Sequence, residues 1–420
     1  MRNLKVYIEI DGKEQKVGVI SGNDYNDATF SYDEDYLNSD EAAPISISMP
    51  LQEEKFDSSK TRNYFEGLLP EGFSRRAVAE WIKTDEKDYL TILGQLGKEC
   101  LGAVRIIENE KNDKAAYEKL SLEEVKKLAS EGATKSTQIL LKTHLSLTGA
   151  SGKVGLYYDE ENDGWYLPKG DAPSTHIVKQ SHVRLDKIVI NEQLCTMAAK
   201  NVGIDVPKSF IINVGKGRDE DILFATERYD RVMSKTNIGK LARPYRLHQE
   251  DFAQALGIAA EQKYEHEKSG YLRQMFDLLR KKSANPIEDQ KKMLDIIIFN
   301  YLIGNTDSHI KNYSLLYDKS LKYVRLAPAY DMVATRIYGG SSEMSFYYGD
   351  EIELEKIKRK SFETLAEEVG LSTKTVLSAF DNIADKLEKA FEDAAKELKN
   401  KGFKDVGKMK KNILKTGGYE

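Results

Sequence analysis

Gly304-Asn305-Thr306-Asp307-Ser308-His309-Ile310-Lys311-Asn312 decides the reading of this chain, together with a second carboxylate, Asp331, beyond it. The pattern is an Asp, an Asn five positions on, and a further Asp just past a short strand–turn–strand. Metal-dependent phosphoryl transfer calls for such groups. One carboxylate orients and deprotonates an attacking hydroxyl, while an amide oxygen and a second carboxylate hold a divalent cation. Asp307, Asn312 and Asp331 are the candidates for these roles. Asp307 follows the apolar helix expected over 296–303, which Gly304 and Asn305 end. A carboxylate there can equally be a turn residue or a cap. The second carboxylate tips the balance, because Leu326-Ala327-Pro328-Ala329-Tyr330-Asp331 places it after a strand and a rigid proline turn. His309 reads as a hydrogen-bonding loop histidine before a metal ligand. Lys311 lies where it can neutralise charge developing on a transferring phosphate.

Such a centre requires a nucleotide site upstream. Ser146-Leu147-Thr148-Gly149-Ala150-Ser151-Gly152-Lys153-Val154 fits in position and composition. Its glycines let the backbone along Gly149, Ala150, Ser151 and Gly152 approach phosphate oxygens, and Lys153 adds a donor. The stretch is neither a Walker A sequence nor G-x-G-x-x-G, and a Gly-containing hairpin turn is the alternative. Lys179 ends an apolar strand downstream, where a lysine reaches nucleotide phosphates and a helix glutamate, here Glu192, braces it; a solvent-snorkelling lysine is the plainer option. Ala225-Thr226-Glu227-Arg228-Tyr229-Asp230-Arg231 then ends a strand before the helical half. In a two-lobed kinase this is the adenine-binding hinge, with Glu227 and Tyr229 as its candidates. Arg228, Asp230 and Arg231 read equally well as a surface ion-pair cluster of little energetic weight.

The remaining pattern supplies an α+β scaffold. Residues 4–21 alternate around Asp11-Gly12-Lys13 as a hairpin, and residues 25–50 hold further strand-like pieces ending at Ile45-Ser46-Ile47-Ser48-Met49-Pro50. A helical period runs from Tyr64 to Ile82, with another helix over 90–101 and a strand at 103–107. A charged connector over 108–120 is the internal boundary. Strands are expected over 145–147, 154–158, 164–167, 176–179, 210–214 and 222–226, with a helix over 192–202 stopped by Gly203. After Arg243 the helical period dominates, interrupted by strands near 314–317 and 323–326. The expected division is 1–110, 111–243 and 244–420. With 420 residues, two or three domains are expected. Sixty-three basic against 68 acidic side chains, a net charge of −5, exclude a strongly basic nucleic-acid or membrane-surface binder. Two isolated cysteines, Cys100 and Cys195, form no disulfide framework. With no signal-peptide core and no membrane-length apolar run, the expectation is a soluble, cytoplasmic chain.

Taken together, these motifs resemble the HipA toxins, the serine/threonine kinases of bacterial type II toxin–antitoxin modules. The carrying stretches are Ser146–Lys153 (family pattern S-x-A-G-A-Q-x-K), Thr175–Lys179, Glu227–Arg231, His248-Gln249-Glu250-Asp251, Lys263-Tyr264-Glu265, Asn305–Ser314 and Leu326–Asp331. Phe65-Glu66-Gly67-Leu68-Leu69-Pro70 is similar to the family's extra N-terminal subdomain. The resemblance implies a two-lobed kinase-like fold with a β-rich N-terminal subdomain and a helical C-terminal lobe. It implies ATP and Mg²⁺ as cofactors, Asp307 as base, Asn312 and Asp331 as metal ligands, and Lys179 on the ATP phosphates. Glu227 and Tyr229 would frame adenine, and His309 would lie in the nucleotide site. Ser146 would be autophosphorylated, which adds roughly two negative charges beside the phosphates the loop must cradle. The implied partners are a HipB-like helix-turn-helix antitoxin, operator DNA through that antitoxin, and a translation-related protein substrate such as an aminoacyl-tRNA synthetase. No membrane is implied. Ser151-Gly152 and Thr148 depart from the family loop, so Thr148 and Ser151 compete with Ser146 as phosphosites. A small-molecule or lipid kinase of related fold, or a non-catalytic co-repressor that binds an antitoxin, are the alternatives.

Overall fold

A computed structural model describes residues 2–108, 114–121, 124, 125, 127, 153–181 and 185–419, apart from the side chains of Phe73 and Glu220. The chain forms two compact units. The first comprises residues 1–186, 212–261 and 315–323; the second comprises 187–211, 262–314 and 324–420.

In the first unit, β1 (Arg2–Ile10) and β2 (Lys13–Gly22) pair antiparallel as expected. Asp11 and Gly12, at φ 47° and 77°, form the tight turn whose twist suits a hairpin. With β3 (Thr29–Tyr32) and β4 (Val104–Ile107) the sheet runs β3-β2-β1-β4. Leu4, Val6 and Ile8 are fully buried because alternate residues share one face. The helical stretch expected over 64–82 is two helices, Ser58–Glu66 and Gly72–Trp81, since Pro70 cannot continue an α-helical ladder. Ile45–Met49 is a turn closed by a Ser46–Met49 bridge and not a strand. Here Tyr32 donates to Met49 O and accepts from Ile45 N, a tertiary contact that no local pattern encodes.

A second sheet is built from β5 (Ala116–Lys119), β6 (Lys153–Asp159), β7 (Gly164–Lys169), β8 (His176–Gln180), β9 (Ser209–Asn213) and β10 (Ile222–Glu227), in the order β5-β7-β6-β8-β10-β9. A hairpin of β11 (Arg231–Ile238) and β12 (Leu241–Arg246) follows, its end running past 243, where helix was expected to take over. Its residues are mostly polar and half-exposed, so neither apolar period marks it in the sequence.

An ion network holds this unit together, and it is buried, not on the surface. Glu99 accepts from Arg228 Nη1 (3.2 Å), Arg231 Nη2 (2.9 Å) and Arg246 Nη2 (2.7 Å). Asp230 accepts from Arg228 Nη2 (2.7 Å), Gly102 N (2.7 Å) and Gln249 Nε2 (3.0 Å). Glu9 pairs with Arg243 and Arg246. Burial pushes the Glu99 carboxyl up, yet Arg246, Arg231 and Arg228 together hold it well below the usual carboxylate range. Asp230 is held at about 2 in the same way, burial being outweighed by Arg228 and Arg231.

A second buried cluster lacks cations. Glu250 accepts from Ser46 Oγ, Tyr317 Oη and Ile47 N (3.0 Å). Burial raises its carboxyl to about 7, against the lowering effect of those bonds. His248 donates from Nε2 to Ile45 O (2.8 Å), and burial depresses it to about 4.

The second unit is mainly helical. Thr373–Asn400 packs on Ile188–Val202, Pro286–Leu302 and Arg359–Val369. Ile383, Leu387, Phe391, Ala394 and Leu398 are buried along it at helical spacing. Replacing Phe391 by alanine removes about 3–5 kcal/mol of packing. Tyr301, Tyr348, Phe362 and Phe380 form an aromatic cluster around the C-terminal half of Pro286–Leu302. Among the described residues no helix is long and apolar enough to cross a membrane.

Candidate active site

The helix Pro286–Leu302 delivers the chain to the Asp307 loop. Gly304, at φ 66°, takes the left-handed conformation that ends it. Gly304 N donates to Tyr301 O (3.0 Å) and Asn305 N to Asn300 O (2.9 Å), the paired bonds of a Schellman cap. The loop root is then pinned from the segment after Asp331. Arg336 N donates to Gly304 O (3.1 Å), and Thr306 N donates to Thr335 Oγ1 (2.8 Å).

Asp307 is exposed, whereas His309 and Lys311, at 6% and 5% exposure, are buried. The loop closes on itself: His309 N donates to Asp307 O (2.9 Å), and Asn312 N donates to His309 O (2.8 Å). Asn312 Nδ2 also donates to Asp307 O (2.9 Å), which fixes the amide and leaves its oxygen as an acceptor. Asp331 takes φ 57°, a left-handed conformation that costs a non-glycine residue about 1–2 kcal/mol. Asn305 Nδ2 reaches both Asn300 Oδ1 (3.0 Å) and Asp331 O (3.3 Å), so one side chain joins the helix end, the loop and the second carboxylate's backbone. Asn191, on the helix Ile188–Val202, exchanges two bonds with Ala334, receiving from its N (3.0 Å) and donating to its O (3.1 Å). Tyr330 Oη donates to Lys311 O (2.9 Å). The second unit therefore gathers Asp307, His309, Lys311, Asn312 and Asp331 on one braced loop pair.

The donor set suits a hard divalent cation, which takes carboxylate and amide oxygens and completes its shell with water and phosphate oxygens. Among the described residues no group of three or more His, Cys, Asp or Glu side chains can hold a metal. Asp331 and Asn312 carry oxygens of the kind such a cation takes.

In the first unit, Lys153 lies directly opposite Lys179 across the β6–β8 ladder, and Phe224 opposite Lys179 across β8–β10. Directly opposed residues share a face, and like charges so placed destabilise a sheet. Lys179 is 8% exposed, its Nζ 5.8 Å from the Phe224 ring centroid. Glu227 and Tyr229, half-buried at the end of β10, flank the buried Arg228. Tyr229 Oη donates to Gln249 Oε1. Glu192, the expected brace, is buried in the helix Ile188–Val202 of the second unit. Ser146, Thr148, Gly149, Ala150, Ser151 and Gly152 lie outside the described residues.

Sequence reasoning missed Asn191, Thr335 and the bracing role of Asn305. Only Asn305 carried a signal, lying within the quoted stretch itself.

An α+β fold with an Asp/Asn/Asp loop pair is of the kinase-like class. Residues 145–391 match the HipA-like C-terminal domain and residues 8–107 the HipA N-terminal domain. The chain belongs to the HipA family, as its motif set implied. It is 31% identical over 382 residues to the provisionally named kinase Y4mE of Sinorhizobium fredii, covering 88% of this chain and 87% of that one. It is 26% identical over 365 residues to the serine/threonine-protein kinase toxin HipA of Shewanella oneidensis, covering 83% and 80%. Its fold matches that of HipA in the solved Shewanella oneidensis complex of HipA, HipB and operator DNA. The TM-score is 0.79 at 23% identity, over 98% of this chain and 96% of that one.

Proposed function

We propose that this chain is an ATP- and Mg²⁺-dependent serine/threonine protein kinase acting as the toxin of a HipBA-type module. The observation that carries the reading is the braced loop pair, in which Asn305 ties the Asp307 loop to a left-handed Asp331. A backbone conformation that costs free energy, tied by Asn305 to the Asp307 loop, is expected where a side chain must be aimed. In this reading Asp307 orients the substrate hydroxyl and takes its proton. Asn312 and Asp331 hold Mg²⁺, Lys179 and Lys153 take phosphate oxygens, and Glu227 and Tyr229 frame adenine. Lys311 and His309 shape the loop beside the nucleotide, Lys311 adding positive charge near the transferred group. Bound Mg·ATP supplies the phosphoryl group and neutralises its charge. Ser146 is the autophosphorylation site that switches the loop off.

The substrate in this reading is a translation-related protein, such as an aminoacyl-tRNA synthetase, whose modification arrests growth. A HipB-like helix-turn-helix antitoxin neutralises the kinase in the cytoplasm and carries the operator contacts. The segments 1–110, 111–243 and 244–420 act as accessory subdomain, nucleotide lobe and catalytic lobe.

The test is transfer from γ-labelled ATP by wild type and Asp307→Gln, to itself and to a cell lysate. Asp307-dependent labelling is expected. Labelling that is absent, or equal in both proteins, refutes the reading. Mass mapping of the labelled chain then separates Ser146 from Thr148 and Ser151.

A further inference from the structure

Asp307 has a partner from outside its own loop. Tyr264, 43 residues earlier, donates its hydroxyl to Asp307 Oδ1, and its ring stands edge-on to His309, with centroids 5.3 Å apart and planes at 89°. Lys263 Nζ sits 5.3 Å from the centroid of the same ring.

The backbone that carries Tyr264 is fixed on both sides. Lys263 O accepts from Ile310 N (3.2 Å), inside the Asp307 loop. Tyr271 Oη donates to Gln262 O (2.7 Å). Glu265 is 3% exposed. Its carboxylate accepts from Gly270 N, from Tyr271 N (3.2 Å) and from Tyr347 N (3.0 Å). Glu265 N donates to Ser345 O (3.0 Å), and Ser345 Oγ donates to Thr306 O (2.9 Å), which returns to the residue before Asp307. A phenol on so anchored a segment is part of a construction, not a surface side chain that happens to touch a carboxylate.

We propose that Tyr264 is a positioning residue of the Asp307 carboxylate: it donates to Oδ1 and sets the carboxylate plane through its anchored segment. This rests on the reading of Asp307 as the base. A bond from an anchored phenol to one carboxylate oxygen narrows the orientations open to it about χ2. Holding one oxygen makes the carboxylate a directed acceptor, and proximity with orientation is a large part of rate enhancement. The His309 edge contact limits where the phenol itself can go, which gives the buried histidine a packing role.

The experiment uses the full chain and two independent readouts. In protein labelled with ¹³C at tyrosine Cζ, the resonance lost in Tyr264→Phe is assigned to Tyr264, and it is expected to move in Asp307→Asn. A Tyr264 signal indifferent to Asp307 overturns the proposal whether or not the protein transfers phosphate. In kinetics, Tyr264→Phe is expected to lower kcat about tenfold, the loss of roughly one charge-assisted hydrogen bond, with KM for ATP unchanged. Unchanged kcat, or a kcat/KM for the protein substrate that rises because the phenol was competing with it, overturns positioning. If wild type transfers no phosphate while the Tyr264 resonance does respond to Asp307, the proposed function fails and the contact stands. Retained far-ultraviolet circular dichroism in Tyr264→Phe separates either result from misfolding.

Discussion

Glu250 and His248 lie two residues apart in the same buried region, and their titrations oppose each other. Burial raises the Glu250 carboxyl from 4.5 to about 7. Between these values the native state keeps a proton that the unfolded chain has lost, so stability falls as pH rises through that window. Burial lowers His248 from 6.5 to about 4. Between about 4 and 6.5 the unfolded chain binds a proton that the native state refuses, so stability rises with pH there. Each displacement is worth roughly 3 kcal/mol, and over most of the range the two slopes cancel. The perturbation that exposes this is Glu250→Gln. The amide keeps an oxygen for Ile47 N and Tyr317 Oη and can donate to Ser46 Oγ, so the variant mimics the protonated acid. The two proteins should be close in stability at pH 4.5. The variant should gain on wild type by roughly 3 kcal/mol by pH 8. Within this pair only His248 then titrates, so the variant's stability should rise relative to wild type between pH 4.5 and 6.5. Urea unfolding at half-unit pH steps, read as the wild-type-minus-variant difference, measures this directly. A difference that stays constant from pH 4.5 to 8, or that grows in favour of wild type, refutes the claim that Glu250 holds its proton in the fold.

Glu99→Ala leaves Arg228, Arg231 and Arg246 buried without their shared carboxylate, and should cost about 3–5 kcal/mol of stability in thermal or urea unfolding. Asp331→Gly should relieve the left-handed backbone and raise stability by about 1 kcal/mol, while phosphotransfer falls to background. Asn191→Ala removes both bonds to Ala334 and should lower kcat about tenfold, the equivalent of roughly one lost net hydrogen bond; kinetics with a far-ultraviolet check of the fold measures it.

Much of the fold was legible because local signals were strong. The β1–β2 hairpin follows from strict alternation around Asp11-Gly12, and the helix into the active loop from an apolar run closed by Gly304. Where polar and half-exposed residues blur the period, as in β11 and β12, the elements could not be read. Arg228, Asp230 and Arg231 illustrate the limit most clearly. Charged residues are ordinarily exposed, so a surface cluster was a natural reading. Their burial depends on Glu99, which is supplied by a segment more than a hundred residues earlier.

The sequence by itself determined the order of the motifs, the HipA family, and the Asp307, Asn312 and Asp331 spacing, because groups on a single loop pair keep their separation along the chain. Only the tertiary structure decided that Lys153 faces Lys179 across a ladder, that Asn305 and Asn191 hold the Asp331 segment, and that Tyr264 takes one oxygen of Asp307. Register and side-chain hydrogen bonds between distant segments arise when separate elements pack, and no local period records them.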